Sequence, residues 1–186
     1  VLSDGAEAMN ELAAMFNYPV VTTLTGIGGF DGTSLLSLGM VGMHGTYEAN
    51  MAMQECDVLF AVGARFDDRV IGNPSDFERP SRTIIQVDVD PSSISKNVQT
   101  DVPIVGDVRE VLSEMVRLLK ESGDHPDPAA TAQWVKDITL WRSKKCLAYK
   151  TKKTGPIQPQ AVIERVAEAA GNDAYFSTDV GEHQMW

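Results

Sequence analysis

The sequence predicts an α/β fold built on a doubly wound parallel sheet, and three observations predict it. Apolar segments of strand length alternate with amphipathic segments of helix length. The strand-like segments are continuous apolar runs, such as "DVLFAV" (57–62) and "TIIQVDV" (83–89), and lack the apolar-polar alternation of a sheet with one wet face. Glycine or aspartate follows these runs, where open α/β sheets place ligand-contacting loops.

The elements follow in order. Residues 4–16, "DGAEAMNELAAMF", set Ala8, Met9, Leu12, Ala13 and Phe16 at helical spacing, with Asp4 and Glu7 as a capping-box-like start and Asn17-Tyr18-Pro19 as the stop. "VVTTL" (20–24) is short and β-branched and runs into the glycine-rich "TGIGGFDG". Residues 46–55 read as a helix with a threonine cap, and 57–62 as the next strand. Residues 83–89 form a strand leading to Asp90-Pro91, and "VPIVGD" (102–107) is a shorter one whose proline suits a strand's first position. Residues 108–120 carry Val111, Leu112, Met115, Val116 and Leu119 on one face of a docked helix.

After Lys120 the composition turns linker-like in "ESGDHPDPAAT", which places a boundary near residue 122. Residues 131–149 look helical and basic, and a second connector runs to residue 157. Residues 158–186 then read as a fresh helix, strand and loop, the opening of a truncated domain. The predicted organisation is therefore 1–122, a linker with a helix over 123–157, and 158–186.

With 186 residues, 43% hydrophobic and 23% charged, the chain has ordinary soluble composition. A net charge of -10 without a basic face argues against nucleic acid and anionic lipid. No apolar run approaches the roughly 20 residues of a membrane span, and the first residues lack a signal-peptide pattern, so a cytoplasmic protein with no membrane partner is expected. Cys56 and Cys146 suggest neither a disulfide framework nor a zinc site.

The loops after the predicted strands would line one edge of the sheet. "TGIGG" can bring backbone N–H groups to a phosphate or simply turn the chain. "GMHGT" (42–46) precedes a helix whose N-terminus favours an anion, or is a capping segment with a satisfied histidine. "GARFDDR" (63–69) packs two arginines and two aspartates into its last five positions. Arg65 and Arg69 can grip a pyrophosphate with Asp67 and Asp68 orienting them, or all four can form a surface network. Asp88 stands where an acid commonly accepts a ribose hydroxyl, or makes a turn with Asp90-Pro91. Asp107 caps the helix that starts at 108, with or without a ligand. His44, His125 and His183 are not at metal-ligand spacing, and no catalytic acid-base pair is visible in the body of the chain. The residues describe a nucleotide-binding sheet more than a self-contained active site.

Three stretches, "LGMVGMHGTYEANMAMQECDVLFAVGARFDDRV", "VDVDPSSISKNVQTDVPIVGD" and "DVGEHQMW", carry a resemblance across essentially the whole chain. In order and spacing they resemble the large catalytic subunits of acetohydroxyacid synthase (acetolactate synthase). The resemblance implies a Rossmann-like central domain that binds FAD, lacking its first strand, then the beginning of a thiamine diphosphate domain. It implies decarboxylation of pyruvate and transfer of the two-carbon unit to pyruvate or 2-ketobutyrate, in branched-chain amino acid synthesis. The resemblance also implies thiamine diphosphate and magnesium in the full-length parent, a homo-oligomer that can take a small regulatory subunit. FAD there is mainly structural.

Matching positions place FAD against Thr23, Leu24, Met43, His44, Gly63, Ala64, Arg65, Asp67, Arg69, Asp88, Val89 and Asp107. Gln184 and Met185 match flavin contacts, His183 the thiamine side, and Trp186 the wall of the second keto acid's pocket. The resemblance places no catalytic residue and no metal ligand within these residues, which alone are expected to be inactive. Glu182 stands where many members have glutamine. Two rivals remain at this point: a related thiamine-dependent decarboxylase without FAD, and a non-catalytic adenine-nucleotide-binding module.

Overall fold

The computed structural model describes residues 2–77, 81–150, 154–171 and 173–185. Two compact units divide the chain, Val1–Lys144 and Lys145–Trp186. In the first, helices and strands alternate: α1 (Ala6–Phe16), β1 (Val20–Thr22), β2 (Ser37–Met40), α2 (Tyr47–Glu55), β3 (Val58–Val62), the short α3 (Asp68–Ile71) and α4 (Pro74–Phe77), β4 (Thr83–Asp88), β5 (Val102–Val105), α5 (Val108–Ser122) and α6 (Pro128–Ser143). All pairings are parallel. β1 pairs with β2, and a second sheet runs β3-β4-β5.

The continuous apolar runs are explained by cover on both faces. Successive side chains of a strand point to opposite sides. Leu59 and Ala61 of β3 therefore join the cluster made with Ala49, Ala52 and Met53 of α2 and Ile138 and Trp141 of α6. Phe60 and Val62 instead meet Leu112 and Val116 of α5 and Leu12 of α1. Leu38 and Val41, at β2, belong to the same cluster as Ala61 and Ile84, so the two sheets share one core. This is the α/β architecture the sequence predicts.

The helix ends follow the local chemistry in part. Thr46 caps α2 by accepting the Ala49 N–H at 3.2 Å, and Asp107 caps α5 through the Arg109 N–H at 2.9 Å. The Asp4-Glu7 capping box does not form. Gly5 occupies the cap position of α1, while Asp4, at φ 56°, turns its carboxylate toward Arg109 at 3.8 Å.

Other differences are larger. β2 was not expected, because "SLGM" holds a serine and a glycine and has little intrinsic strand preference. Its pairing with β1 makes it a strand. α6 begins at Pro128 and ends at Ser143, earlier at both ends than expected, with Asp127 accepting the Ala129 N–H at 2.9 Å. It is no bystander: Ile138 and Trp141 are core residues, and Arg142 donates to the Ser37 carbonyl of β2.

The second unit contains α7 (Pro159–Ala170) and α8 (Glu182–Met185). The strand expected after α7 does not form among the described residues, and Tyr175, Phe176 and Val180 are exposed. None of the unit's described residues is buried, so its backbone has no apolar layer to order against. Among the described residues no helix is long and apolar enough to cross a membrane, and no disulfide joins Cys56 and Cys146.

Candidate functional site

The carboxyl ends of the strands form one rim, held together by backbone hydrogen bonds. The Val41 N–H donates to Thr22 O at 2.9 Å, joining the ends of β1 and β2. The Met43 N–H then donates to Arg69 O at 2.9 Å, which ties the loop after β2 to the loop after β3. The Gly63 N–H donates to Val87 O at 2.8 Å, and the Gly106 N–H to Asp88 O at 3.0 Å, so the ladder continues past the last paired residues of β3 and β5. Thr23 and Leu24, Met43 and His44, the 63–69 segment, Asp88 and Val89, and Asp107 all leave the strands at this edge.

Gly42 makes the junction possible. Its φ is +105°, and a Cβ there would lie 2.4 Å from the Arg69 carbonyl oxygen. Asn50 of α2 then fixes the turn from both sides, accepting the Gly42 N–H at 2.9 Å and donating to the Gly42 carbonyl at 3.0 Å. The "GMHGT" spacing thus serves close backbone contact, and it leaves Met43 and His44 exposed at the rim. "TGIGG" resolves as consecutive turns: the Gly26 N–H bonds Thr23 O and the Gly29 N–H bonds Gly26 O, each at 3.0 Å. Those two N–H groups are used locally.

The charged cluster does not form the surface network that was one expectation for it. Arg65, Asp67, Asp68 and Arg69 are all exposed, and among the described residues neither guanidinium has an ion-pair or hydrogen-bond partner. Asp67 caps α3 with its backbone carbonyl, which accepts the Val70 N–H at 3.0 Å and the Ile71 N–H at 3.1 Å. Its carboxylate makes no cap bond. The aspartates therefore do not orient the arginines, and two unpaired cations, Arg65 in the loop after β3 and Arg69 in α3, stand close along a chain whose net charge is -10.

Asp88 is buried, and its Oδ1 accepts the Asp90 N–H at 2.9 Å. Among the described residues its Oδ2 takes no hydrogen bond, which leaves one acceptor at the end of β4. The turn itself is made mainly by Asp90, which accepts the Ser92 N–H at 2.9 Å and the Ser92 and Ser93 hydroxyls at 2.8 and 3.2 Å. The Ser92 hydroxyl, with the Ser92 N–H second, holds the Asp90 carboxyl below its ordinary range, so it stays an anionic turn former. Val89 beside it is exposed. Asp107 spends Oδ1 on its helix cap.

Two amides at this edge were not singled out in the sequence. Gln86, in the middle of β4, is 1% exposed and donates to Ala64 O at 3.0 Å. Asn97 donates to Arg65 O at 2.8 Å. For Gln86 the signal was available: a lone amide inside an otherwise apolar buried strand needs partners.

The rim is built from first-unit residues. His183 and Gln184 lie in α8 of the second unit, Met185 ends α8 with its side chain outside the described residues, and Trp186 lies outside them altogether. Among the described residues no group of three His, Cys, Asp or Glu side chains is placed to hold a metal.

The family described as "Thiamine pyrophosphate enzyme, central domain" matches residues 1–115. The chain belongs to this family. The match covers the strands and loops of the rim, so the rim is a feature of a thiamine pyrophosphate enzyme central domain. Among curated relatives, the acetolactate synthase isozyme 3 large subunit of Escherichia coli (strain K12) is 46% identical over 97% of this chain and 31% of its own length. The acetolactate synthase large subunit of Pyropia yezoensis is 46% identical over 100% of this chain and 31% of its own. The acetolactate synthase of Mycobacterium bovis (strain ATCC BAA-935 / AF2122/97) is 41% identical over 100% and 30%. The chain thus spans about a third of the length of the relatives it matches.

Proposed function

We propose that these residues are part of an acetolactate synthase large subunit, in which the rim holds FAD. The observation that carries the proposal is the likeness to acetolactate synthase large subunits, which runs through essentially the whole chain. In this reading residues 1–122 are the FAD-binding central domain, 123–157 a linker whose helix α6 docks on that domain's core, and 158–186 the opening of the thiamine diphosphate domain. In the same reading the parent is a cytoplasmic homo-oligomer that can take a small regulatory subunit. It converts pyruvate, with a second pyruvate or 2-ketobutyrate, to the acetohydroxy acids of branched-chain amino acid synthesis.

The donor set of the rim fits an extended dinucleotide. Arg65 and Arg69, exposed and unpaired, suit its pyrophosphate, because a guanidinium binds phosphate oxygens bidentately. The unspent Oδ2 of Asp88 suits a ribose hydroxyl. At Gly63, with φ 61°, an added Cβ would meet nothing nearer than 3.9 Å, so the backbone there is open to close approach by a ligand. The family resemblance assigns Thr23, Leu24, Met43, His44, Ala64, Asp67, Val89 and Asp107 to the same cofactor, and in the parent it assigns Gln184 and Met185 to the flavin, His183 to the thiamine side and Trp186 to the second keto acid. Thiamine diphosphate, with magnesium, supplies the electron sink for decarboxylation when bound. The residues described here bind and orient; no proton transfer is assigned to them.

The test uses the polypeptide at the length of its relatives. Purified protein should carry flavin absorbance and form acetolactate from pyruvate with thiamine diphosphate and magnesium. Arg65→Ala should weaken FAD by about 10- to 100-fold, the range for a charge-assisted contact. A colourless protein that decarboxylates pyruvate would point to a related decarboxylase, and an adenine nucleotide that raises the melting temperature where FAD does not would point to a binding module. The 186-residue chain alone should form no acetolactate.

A further inference from the structure

The strongest unexplained feature outside the ligand-facing set is the pair of amides beneath the Arg65 loop. Gln86 uses its whole hydrogen-bonding capacity: Nε2 donates to Ala64 O at 3.0 Å and Ser93 O at 3.3 Å, and Oε1 accepts the Ser95 N–H at 3.2 Å and the Thr100 hydroxyl at 2.7 Å. The carbonyls on one side and the N–H on the other leave the amide only this orientation. Asn97 adds the next carbonyl along, donating to Arg65 O at 2.8 Å. Two successive carbonyls of the loop after β3 are therefore held by the strand and loop of β4.

The same loops contain two non-glycine residues in the left-handed region, Phe66 at φ 53° and Ser95 at φ 55°. A bulky aromatic there is uncommon and persists only where its surroundings over-determine it. Phe66 is indeed fixed on its far side, buried and 5.9 Å from the Phe77 ring between centroids. Arg65 thus has its own carbonyl and the preceding one tethered, and the following side chain anchored in the core. Its guanidinium alone is left without a partner among the described residues.

We propose that Gln86 and Asn97 are positioning residues for Arg65, presetting the backbone from which its guanidinium reaches the diphosphate of the cofactor. The proposal rests on the FAD reading above. A long side chain on a fixed Cα has fewer states to lose when it binds, so preorganisation strengthens the contact without touching the ligand. A glutamine in the middle of a buried strand then has a task beyond satisfying the core: it transmits the register of β4 to the loop of β3.

The experiment titrates FAD into the full-length polypeptide freed of flavin, following flavin fluorescence, with the melting temperature of each apoprotein measured alongside. Gln86→Met removes the buried half of the clamp and lowers stability as well, so Asn97→Ala, which touches one exposed hydrogen bond, carries the test. Asn97→Ala is expected to weaken FAD by about three- to tenfold, the range of one hydrogen bond, with the melting temperature unchanged. In the Arg65→Ala background the same substitution should have no further effect, because a residue that acts through Arg65 has nothing left to position. Unchanged affinity in Asn97→Ala, or an equal loss with and without Arg65, overturns the inference and leaves the FAD rim standing. Unchanged affinity in Arg65→Ala itself sinks the FAD assignment of this loop.

Discussion

Helices α5 and α7 each carry an apolar stripe at helical spacing and each stop at a glycine, Gly123 and Gly171. In α5 the stripe is covered: Leu112 is 0% and Val116 5% exposed, with Met9, Leu12, Phe60 and Val62 packed against them. In α7 no residue is buried, and Val162, Ile163 and Val166 face outward. Periodicity states that a face needs cover, and the cover itself is supplied by other elements. The consequence reaches the site. α5 is docked against α1 and the strands, so Asp107 at its cap and Val108 beside Gly63 are fixed on the rim. His183 and Gln184 in α8 have no side-chain hydrogen bond among the described residues to fix them.

The largest expected difference between the two helices is in amide exchange. Burial makes opening of α5 approach global unfolding, whereas α7 opens locally. In the 186-residue chain, amides around Leu112 should exchange at least about a thousandfold more slowly than those around Ile163, a ratio set by several kcal/mol of global stability. Mass-detected exchange measures both helices in one sample, and equal protection would break the comparison.

Side-chain deletion sharpens the same point. Leu112→Ala removes atoms with no exposed surface and should cost about 2–5 kcal/mol. Ile163→Ala, at 37% exposure and outside either core cluster, should stay within about 0.5 kcal/mol. Urea midpoints followed by circular dichroism give both values, and similar costs would mean that α7 has an apolar partner.

How much of this was legible follows the same division between local pattern and tertiary supply. The runs at 58–62 and 83–88 announced a sheet buried on both faces because Phe60 and Val62 need cover as much as Leu59 and Ala61 do. The rim was legible because Gly63, Asp88 and Gly106 end apolar runs, and parallel pairing brings such ends to one edge. β2 was hidden, since "SLGM" becomes a strand only through β1. α6 read as part of a linker, since its core contribution rests on Trp134, Ile138 and Trp141 in an otherwise mixed helix. The unpaired state of Arg65 and Arg69 was also beyond sequence. Asp67 and Asp68 are near neighbours along the chain, but α3 begins between them and its geometry gives neither an arginine to bind.

The smallest effect tests what does hold the second unit together. The Tyr149 hydroxyl donates to Glu164 Oε2, which links α7 to the segment before it. That hydrogen bond, then desolvation, then the carboxylate's charge, raise the Tyr149 pKa above its ordinary value near 10.0. The sign is fixed by which form is favoured: a raised folded-state pKa means the protonated phenol is the stabilised one. Its contribution is therefore complete below the unfolded tyrosine's pKa and fades as pH climbs through the higher folded value. Tyrosinate absorbance should show one late transition that disappears in Tyr149→Phe and moves back toward the ordinary value in Glu164→Ala. Since the pair is exposed, the melting temperature of the first unit should not respond to either change. A late transition that survives Glu164→Ala would mean burial, not this contact, raises the phenol, and would place an apolar cover on the face of the molecule where α7 shows none.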